Sequence, residues 1–198
     1  IFALESYREQ LVAFPQTVWV SEDILLDLAD SQTPQGIVAV VQKEEVEQTD
    51  FSQGKFLFLE DVQDPGNVGT IIRTADAAGF TGVIVSDKSA DIYSLKTLRS
   101  MQGSHFHLPI YRMSNQVLLE KAKKAGIHVL ATTLSKDSVD YRELPPIENF
   151  VLVMGNEGQG ISSLMAESAD QLVHISMKGQ AESLNVAVAA GILIFHLS

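Results

Sequence analysis

The sequence predicts an α/β fold built on a parallel β-sheet with helices on both faces. Two observations carry this prediction: short apolar runs such as Phe56–Leu59 and Phe150–Met154 have the composition of fully buried strands, and they alternate with helical segments. The size of the chain is compatible with this fold. Its 198 residues, of which 45% are hydrophobic, suffice for one sizeable core or for one domain and part of another.

The N-terminal region reads as the end of a small, separate unit. Ser21 is placed to cap a short helix that contains Ile24 and Leu28, a turn follows at 33–36, and a β-prone run spans 37–41. A polar, acidic stretch comes next. We therefore predict a partial domain at 1–45, a linker at 46–54 and a second domain at 55–198.

The second domain carries the alternating pattern. Gly79 and Gly126 follow two predicted helices and are placed to end them. Strands are predicted at 56–59, 83–85, 106–111, 129–133, 150–154 and 172–175. Helices are predicted at 68–78, 94–101, 116–125, 162–168 and 184–197, the last so apolar that it must be buried in the domain or against a second subunit.

Composition excludes several kinds of site. The chain has no cysteine, so disulfides and thiolate metal sites are ruled out. His105 and His107 have no acidic partner at metal-ligand spacing, and His128, His174 and His196 stand alone in apolar runs, so we expect no metal. No apolar run is long enough for a membrane span and no signal peptide is visible, so a soluble, cytoplasmic protein is expected.

The net charge of −11 argues against a large field that attracts nucleic acid. The acidity is uneven, however, because residues 1–53 hold 2 basic and 10 acidic side chains, whereas residues 54–198 hold 12 and 15. A local basic patch in the second domain therefore stays open.

The first unusual segment lies between a predicted strand and helix. The run 64–67, Asp-Pro-Gly-Asn, has strong turn chemistry and leads into a helix N-terminus, where free N–H groups attract anions. We place Arg73 in the first two turns of that helix, near the usual ligand crevice of a parallel sheet. A plain turn, a cap and a surface arginine is an equally open interpretation.

The second segment, 155–160, follows the strand 150–154 and has three glycines in six residues. The spacing fits neither the dinucleotide fingerprint nor the phosphate-binding loop, because Ile161 stands where the latter needs lysine. Glu157 would repel phosphate but suits a ligand with a cation or hydroxyl groups. A simple glycine turn is the alternative.

The third segment, 177–185, precedes the apolar helix. Ser183 is a reasonable N-cap for it, and Asn185 in its first turn has poor helix propensity, which suggests a ligand or capping role.

Together these segments resemble the SpoU (TrmH-like) family of RNA ribose methyltransferases in the SPOUT superfamily. The resemblance covers roughly residues 55–198 through the runs 64–75, 153–161 and 175–187. It implies a SPOUT domain with a deep C-terminal trefoil knot, a homodimer, and S-adenosyl-L-methionine held in the knot. Residues 1 to about 45 resemble the end of an RNA-binding domain that precedes the catalytic domain in many members.

The resemblance also implies roles for individual residues. Cofactor contacts would be Thr132, Gly155, Ile175, Met177 and Leu184. The polar catalytic positions would be Asn67, Arg73, Glu157, Ser183 and Asn185.

The implied reaction is transfer of a methyl group to a ribose 2′-hydroxyl of structured RNA, with ribosomal RNA preferred and transfer RNA as the alternative. A guanidinium stays protonated and has no acceptor. Arg73 is therefore expected to clamp an RNA phosphate and stabilise alkoxide charge, while Glu157 or a substrate phosphate accepts the proton. A catalytically silent RNA-binding scaffold and, more remotely, a nucleotide-dependent oxidoreductase are the competing classes.

Overall fold

The computed structural model describes residues 1–29, 31, 33–43 and 50–198. The chain divides into two compact units, Ile1–Glu45 and Val46–Ser198. Residues 46–49 of the predicted linker lie outside the described residues. No helix among those described is long and apolar enough to cross a membrane.

The first unit contains a small sheet and one helix. Strand β1 (Phe2–Ala3) pairs in parallel with β2 (Val18–Trp19) and antiparallel with β3 (Ile37–Val38). Helix α1 spans Glu22–Ala29 and buries Leu25, as the capped apolar pattern predicts.

The second unit is built on a seven-stranded sheet in which every pairing is parallel, in the order β6-β5-β4-β9-β7-β10-β8. This confirms the predicted parallel α/β architecture. The strands are β4 (Lys55–Leu59), β5 (Gly82–Val85), β6 (Ile110–Arg112), β7 (His128–Thr132), β8 (Val139–Asp140), β9 (Phe150–Met154) and β10 (Gln171–His174). The helices are α2 (Pro65–Ala77), α3 (Leu95–Met101), α4 (Asn115–Ala125), α5 (Ser163–Ser168) and α6 (Val186–Leu197).

Both faces of this sheet are covered, which explains why its strands are apolar throughout. Successive side chains of a strand point to opposite faces, so Leu57 and Leu59 join a core that includes α2 and α6, whereas Phe56 and Phe58 join one that includes α4 and α5.

Two predicted starts in the second unit are wrong by three residues or more. Helix α2 begins at Pro65 rather than at 68, because Asp64 accepts a hydrogen bond from the backbone of Asn67 and proline fits the first helical position. Arg73 therefore lies in the third turn, not in the first two. The strand expected at 106–111 begins only at Ile110, since 104–106 forms a 3₁₀-helix.

The start of α6 also differs from the prediction. Its cap is Asn185 rather than Ser183, because the Asn185 side chain accepts hydrogen bonds from the backbone of Ala187 and Val188. Asparagine outside the first turn thus satisfies two N–H groups that the helix itself leaves free.

Candidate active site

A cavity of about 340 Å³ opens at the carboxyl ends of the central strands. It is lined by residues at the ends of β7, β9 and β10, by the loops that follow them, and by the residues around the start of α6. Ligands of open parallel sheets bind at this edge, and the volume lies in the range of small-molecule sites. The cavity is therefore the candidate ligand site of the second unit.

The structure brings the predicted cofactor residues together around this cavity. Each of the five contributes to its lining: Thr132, Gly155, Ile175, Met177 and Leu184. Thr132 is fixed there because its hydroxyl donates to the carbonyl of Val153 on the adjacent strand, at 2.8 Å.

The glycine-rich loop is a tight hairpin. The N–H and C=O groups of Asn156 and Gly160 exchange two hydrogen bonds of 2.9 Å, and Gly160 has a positive φ of 70°. Gly155 packs so closely on the backbone of Gly160 that an added Cβ would lie 2.3 Å from the carbonyl carbon of Gly160. Only glycine fits at position 155, because the obstacle is backbone.

Asn156 fixes this hairpin to the strand beside it. Its side-chain oxygen accepts hydrogen bonds from the N–H groups of Gly158 and Gln159, at 2.9 and 3.0 Å. Its side-chain nitrogen donates to the carbonyl of Asp61, which follows β4, at 2.8 Å. The glycine-rich loop is therefore fixed relative to the loop between β4 and α2.

Glu157, at the tip of the hairpin, accepts hydrogen bonds from the loop between β4 and α2 and from the first turn of α2. Its carboxylate accepts from the backbone N–H groups of Gln63 and Asp64, both at 3.2 Å, and from the side-chain nitrogen of Asn67 at 3.1 Å. Partial burial acts to raise the pKa of Glu157, but these three bonds and one from its own N–H outweigh it and leave the pKa below its usual value. Glu157 is thus held in its charged form.

Asn185 extends this network to the third motif. Its side-chain nitrogen donates to the side-chain oxygen of Asn67 at 3.1 Å, while its own oxygen caps α6. Because Asn67 donates to Glu157 through its nitrogen, its oxygen is left to accept from Asn185, so one orientation of each amide satisfies every bond. Three segments distant in sequence are therefore joined by a chain of hydrogen bonds that runs from Asn185 through Asn67 to the carboxylate of Glu157.

Two predicted catalytic residues lie outside this network. Ser183 is exposed and lines the cavity. Arg73 is exposed on α2, six residues beyond Asn67, which is about 9 Å farther along the helix axis. It has no side-chain hydrogen bond or ion pair with any described residue.

The charges around the cavity favour a cationic ligand. Among the described residues that line it are two carboxylates, Glu157 and Glu182, and no lysine or arginine. Lys96 is paired with Asp64 at 2.7 Å, and this contact is the first cause that holds the pKa of Asp64 below its usual value.

The sequence interpretation missed several residues of the site. Asn156 lies within the glycine segment, and an asparagine in such a segment is a common signal for a side-chain-to-backbone turn. Asp64 lies within the first motif, and a residue of its type before proline is a typical helix cap. Glu182 and His174 also line the cavity, and neither has a local sequence signal.

Comparisons with known proteins agree with this geometry. The family model for the SpoU rRNA Methylase family matches residues 54–195. The chain is 44% identical over 182 residues to the 23S rRNA (guanosine(2553)-2′-O)-methyltransferase RlmP of Bacillus subtilis, which covers 92% of this chain and 72% of that protein.

Solved structures give the same result. An AdoMet-bound rRNA methyltransferase from Sinorhizobium meliloti superposes with a TM-score of 0.88 at 34% identity, over 99% of this chain and 78% of that one. The SpoU methyltransferase AviRb from Streptomyces viridochromogenes gives a TM-score of 0.85 at 28% identity, over 99% and 79%. The chain is therefore a member of the SpoU RNA methyltransferase family.

Proposed function

We propose that this chain transfers a methyl group from S-adenosyl-L-methionine to a ribose 2′-hydroxyl of ribosomal RNA. The observation that carries the proposal is the contact between the cavity and the network of Glu157, Asn67 and Asn185, since Glu157 belongs to both. Support comes from the relative in Bacillus subtilis, named as a 23S rRNA 2′-O-methyltransferase, and from the AdoMet-bound structure.

The residues around the cavity fit the cofactor. S-adenosylmethionine supplies a methyl group activated by a positive sulfonium, and Glu157 and Glu182 favour a positive ligand. Gly155, Ile175 and Leu184, with Thr132 and Met177, would hold its uncharged parts through backbone groups and apolar contacts. The absence of lysine and arginine among the described lining residues removes a source of repulsion.

The polar network would hold the reacting groups in line. Asn67 and Asn185 fix the carboxylate of Glu157, which would orient the attacking ribose beside the methyl carbon. A carboxylate that accepts several hydrogen bonds is a weak base. We therefore assign Glu157 a positioning and electrostatic role, and the proton of the 2′-hydroxyl would pass to solvent water as the methyl group leaves the sulfonium.

Arg73 and Ser183 would act on the RNA. The Arg73 guanidinium is exposed and would clamp a phosphate through paired N–H donors, while Ser183 at the rim would contact the ribose. The unit Ile1–Glu45 would belong to an RNA-binding region. The active form would be a cytoplasmic homodimer, and the trefoil knot stays a prediction.

Two measurements test this proposal. Calorimetric titration should give saturable binding of about one S-adenosylmethionine per chain, with none for NAD or ATP. Methyl transfer from labelled cofactor should then be measured on ribosomal and transfer RNA transcripts, with resistance to alkaline cleavage as the sign of 2′-O-methylation.

The outcomes separate the alternatives. Transfer to transfer RNA alone would overturn the substrate assignment but not the chemistry. Cofactor binding without transfer to any RNA would favour a scaffold. No binding by the folded protein would overturn the proposed site.

A further inference from the structure

Glu60 is a buried carboxyl group at the base of the glycine-rich hairpin. It follows β4 directly and is only 2% exposed. Leu59 lies opposite Met154 in the parallel ladder, so Glu60 stands where the hairpin 155–160 leaves the sheet. A buried carboxylate is unfavourable unless other groups satisfy its oxygens. Its bonding partners therefore indicate what it holds in place.

Both oxygens of this carboxyl group accept hydrogen bonds. One oxygen accepts from the backbone N–H of Ser162 at 3.1 Å, and the other accepts from the side-chain nitrogen of Asn115. None of the ion pairs among the described residues includes Glu60. The carboxyl group thus joins two other segments of the chain and does not pair with a cation there.

The two partners begin two helices that pack on the same face of the sheet. Asn115 is the first residue of α4, and Ser162 caps α5 by accepting from the N–H of Met165 at 3.2 Å. The side-chain nitrogen of Asn115 also lies 3.4 Å from the hydroxyl oxygen of Ser162. Glu60, Asn115 and Ser162 therefore form one group that connects the end of β4 with the starts of both helices.

The backbone of Glu60 holds the other end of the hairpin. Its N–H donates to the carbonyl of Met154 at 2.8 Å, immediately before Gly155, whereas Ser162 comes two residues after Gly160. The main chain of Glu60 thus fixes the residue before the hairpin, and its side chain fixes a residue just after it.

The residue after Glu60 holds the hairpin at a third point. Asp61 has a left-handed conformation with a φ of 56°, its N–H donates to the hydroxyl of Ser86 at 2.8 Å, and its carbonyl accepts from Asn156. Aspartate tolerates this conformation better than most residues. A displacement of Glu60 would therefore also displace the carbonyl to which Asn156 is bonded.

We propose that Glu60 is a positioning residue for the cofactor cavity, and that it keeps the hairpin 155–160 in place by fixing the chain on both sides of it. The hairpin supplies Gly155 and Glu157 to the lining of the cavity. This inference rests on the proposed function, because it takes the cavity as the cofactor site. Loss of the two acceptors of Glu60 frees the hairpin and weakens cofactor binding, while the sheet keeps its own core.

The first test compares two substitutions by calorimetric titration with S-adenosylmethionine. Glu60→Leu fills a similar volume but leaves the N–H of Ser162 and the amide of Asn115 without an acceptor, so the affinity should fall about 10- to 100-fold. Glu60→Gln should bind about as tightly as the intact chain. Its oxygen accepts from Ser162, and a rotated Asn115 amide accepts from its new NH₂ group.

A matched control removes a carboxylate at the opposite end of the sheet. Asp170 accepts from the backbone N–H of Val129 at 2.8 Å, near the start of β7. Asp170→Leu deletes this acceptor as Glu60→Leu deletes the other, and it should leave the affinity for S-adenosylmethionine unchanged.

The second test needs no ligand. Amide hydrogen exchange of the free chain should show that Glu60→Leu accelerates exchange at Asn156 and Gly160, whose N–H groups bond across the hairpin. Exchange within β4 and β9 should change little. In Glu60→Gln the hairpin amides should exchange as they do in the intact chain.

The results have distinct meanings. Faster exchange throughout the sheet in Glu60→Leu would reduce Glu60 to a general structural role and overturn the proposal. So would an unchanged affinity in Glu60→Leu, or a loss in Glu60→Gln as large as that in Glu60→Leu. Absence of binding by the intact chain, with exchange accelerated only in the hairpin of Glu60→Leu, would overturn the cofactor site and leave the role of Glu60 in the hairpin intact.

Discussion

Glu157 shows how much a single side chain depends on its neighbours. The carboxylate accepts from two backbone N–H groups and from Asn67, and Asn67 is in turn fixed by Asn185. Each added donor stabilises the charged form and restricts the directions in which the carboxylate can point. A residue that is exposed can therefore still be well positioned for catalysis.

Replacing Asn67 tests this network. Asn67→Ala removes one charge-assisted hydrogen bond and frees Asn185, so the rate of methyl transfer should fall about 10- to 100-fold while cofactor affinity changes little. Single-turnover kinetics and calorimetry measure the two quantities. Thr70→Ala, one turn farther on the exposed face of α2, is the control. A large loss of cofactor affinity with an unchanged rate would contradict the assigned role.

The lowered pKa of Glu157 makes a prediction about acid. A carboxyl group whose pKa is depressed by folding stabilises the folded state above its unfolded pKa, and this contribution is lost as pH falls through the folded value. Denaturant unfolding should show that the free energy of unfolding falls less steeply with decreasing pH in Glu157→Gln than in the intact chain below about pH 5. Near pH 7 the two proteins should show the same dependence on pH.

The same property bears on the reaction. A plot of the methyl-transfer rate against pH should show no inflection due to Glu157 in the neutral range. An inflection near pH 7 that disappears in Glu157→Gln would identify Glu157 as the general base instead.

At the scale of elements, the hairpin after β9 determines where the site lies. The buried strand Phe150–Met154 fixes its start, and the approach of Gly155 to the backbone of Gly160 fixes its path. Asn156 then joins it to the carbonyl of Asp61. A short loop thus takes its rigidity from the sheet on which it stands.

Replacing either of two glycines in this hairpin by alanine should affect stability very differently. In Gly155→Ala the new Cβ meets backbone atoms within 2.6 Å, so we expect destabilisation by about 1–3 kcal/mol and loss of cofactor binding. In Gly158→Ala its nearest neighbour is the side-chain oxygen of Asn156 at 3.7 Å, an ordinary contact, so the stability should be retained. Thermal unfolding and calorimetry decide, and equal effects would refute the steric argument.

The elements that the sequence predicts well have strong local signals. Helix α4 begins after the cap Ser114 and ends at Gly126 in the left-handed region, and the apolar run 150–154 forms a strand with the predicted bounds. The start of α2 was misplaced because Asp-Pro-Gly-Asn suits a turn and a capped helix start equally well. Local composition does not separate the two.

The site was predicted through motif resemblance, and its geometry depends on long-range contacts. Nothing near Asn67 in the sequence indicates that its partners are Glu157 and Asn185, because those bonds span 90 and 118 residues. His174 was interpreted as standing alone in an apolar run for the same reason, since its neighbour Ser138 comes 36 residues earlier, just before β8.

At the scale of the whole molecule, α6 has an apolar stripe that is not fully covered. Val188 and Phe195 are 53% and 59% exposed, Ile192 between them is half-buried, and the three share one helix face. An exposed apolar stripe on an otherwise buried helix is typical of an interface. It supports the proposed homodimer.

A charge on this stripe should separate the subunits. Phe195→Asp should convert a dimer to a monomer by placing an unpaired carboxylate in an apolar interface. Sedimentation velocity measures the change, with Lys123→Asp on the exposed face of α4 as the control. An intact chain that is monomeric throughout the concentration range would contradict the homodimer.

The long sequence separations within the network have a consequence for synthesis. Glu157 acquires its last fixed neighbour only when Asn185 has left the ribosome and α6 has docked on the sheet, because Asn67 takes its orientation from Asn185. A nascent chain with the first two motifs alone contains most of the sheet but no assembled site. Contacts that close such long loops form late in folding. The ability to act on RNA should therefore arise abruptly once α6 has been synthesised and has docked, rather than grow with chain length.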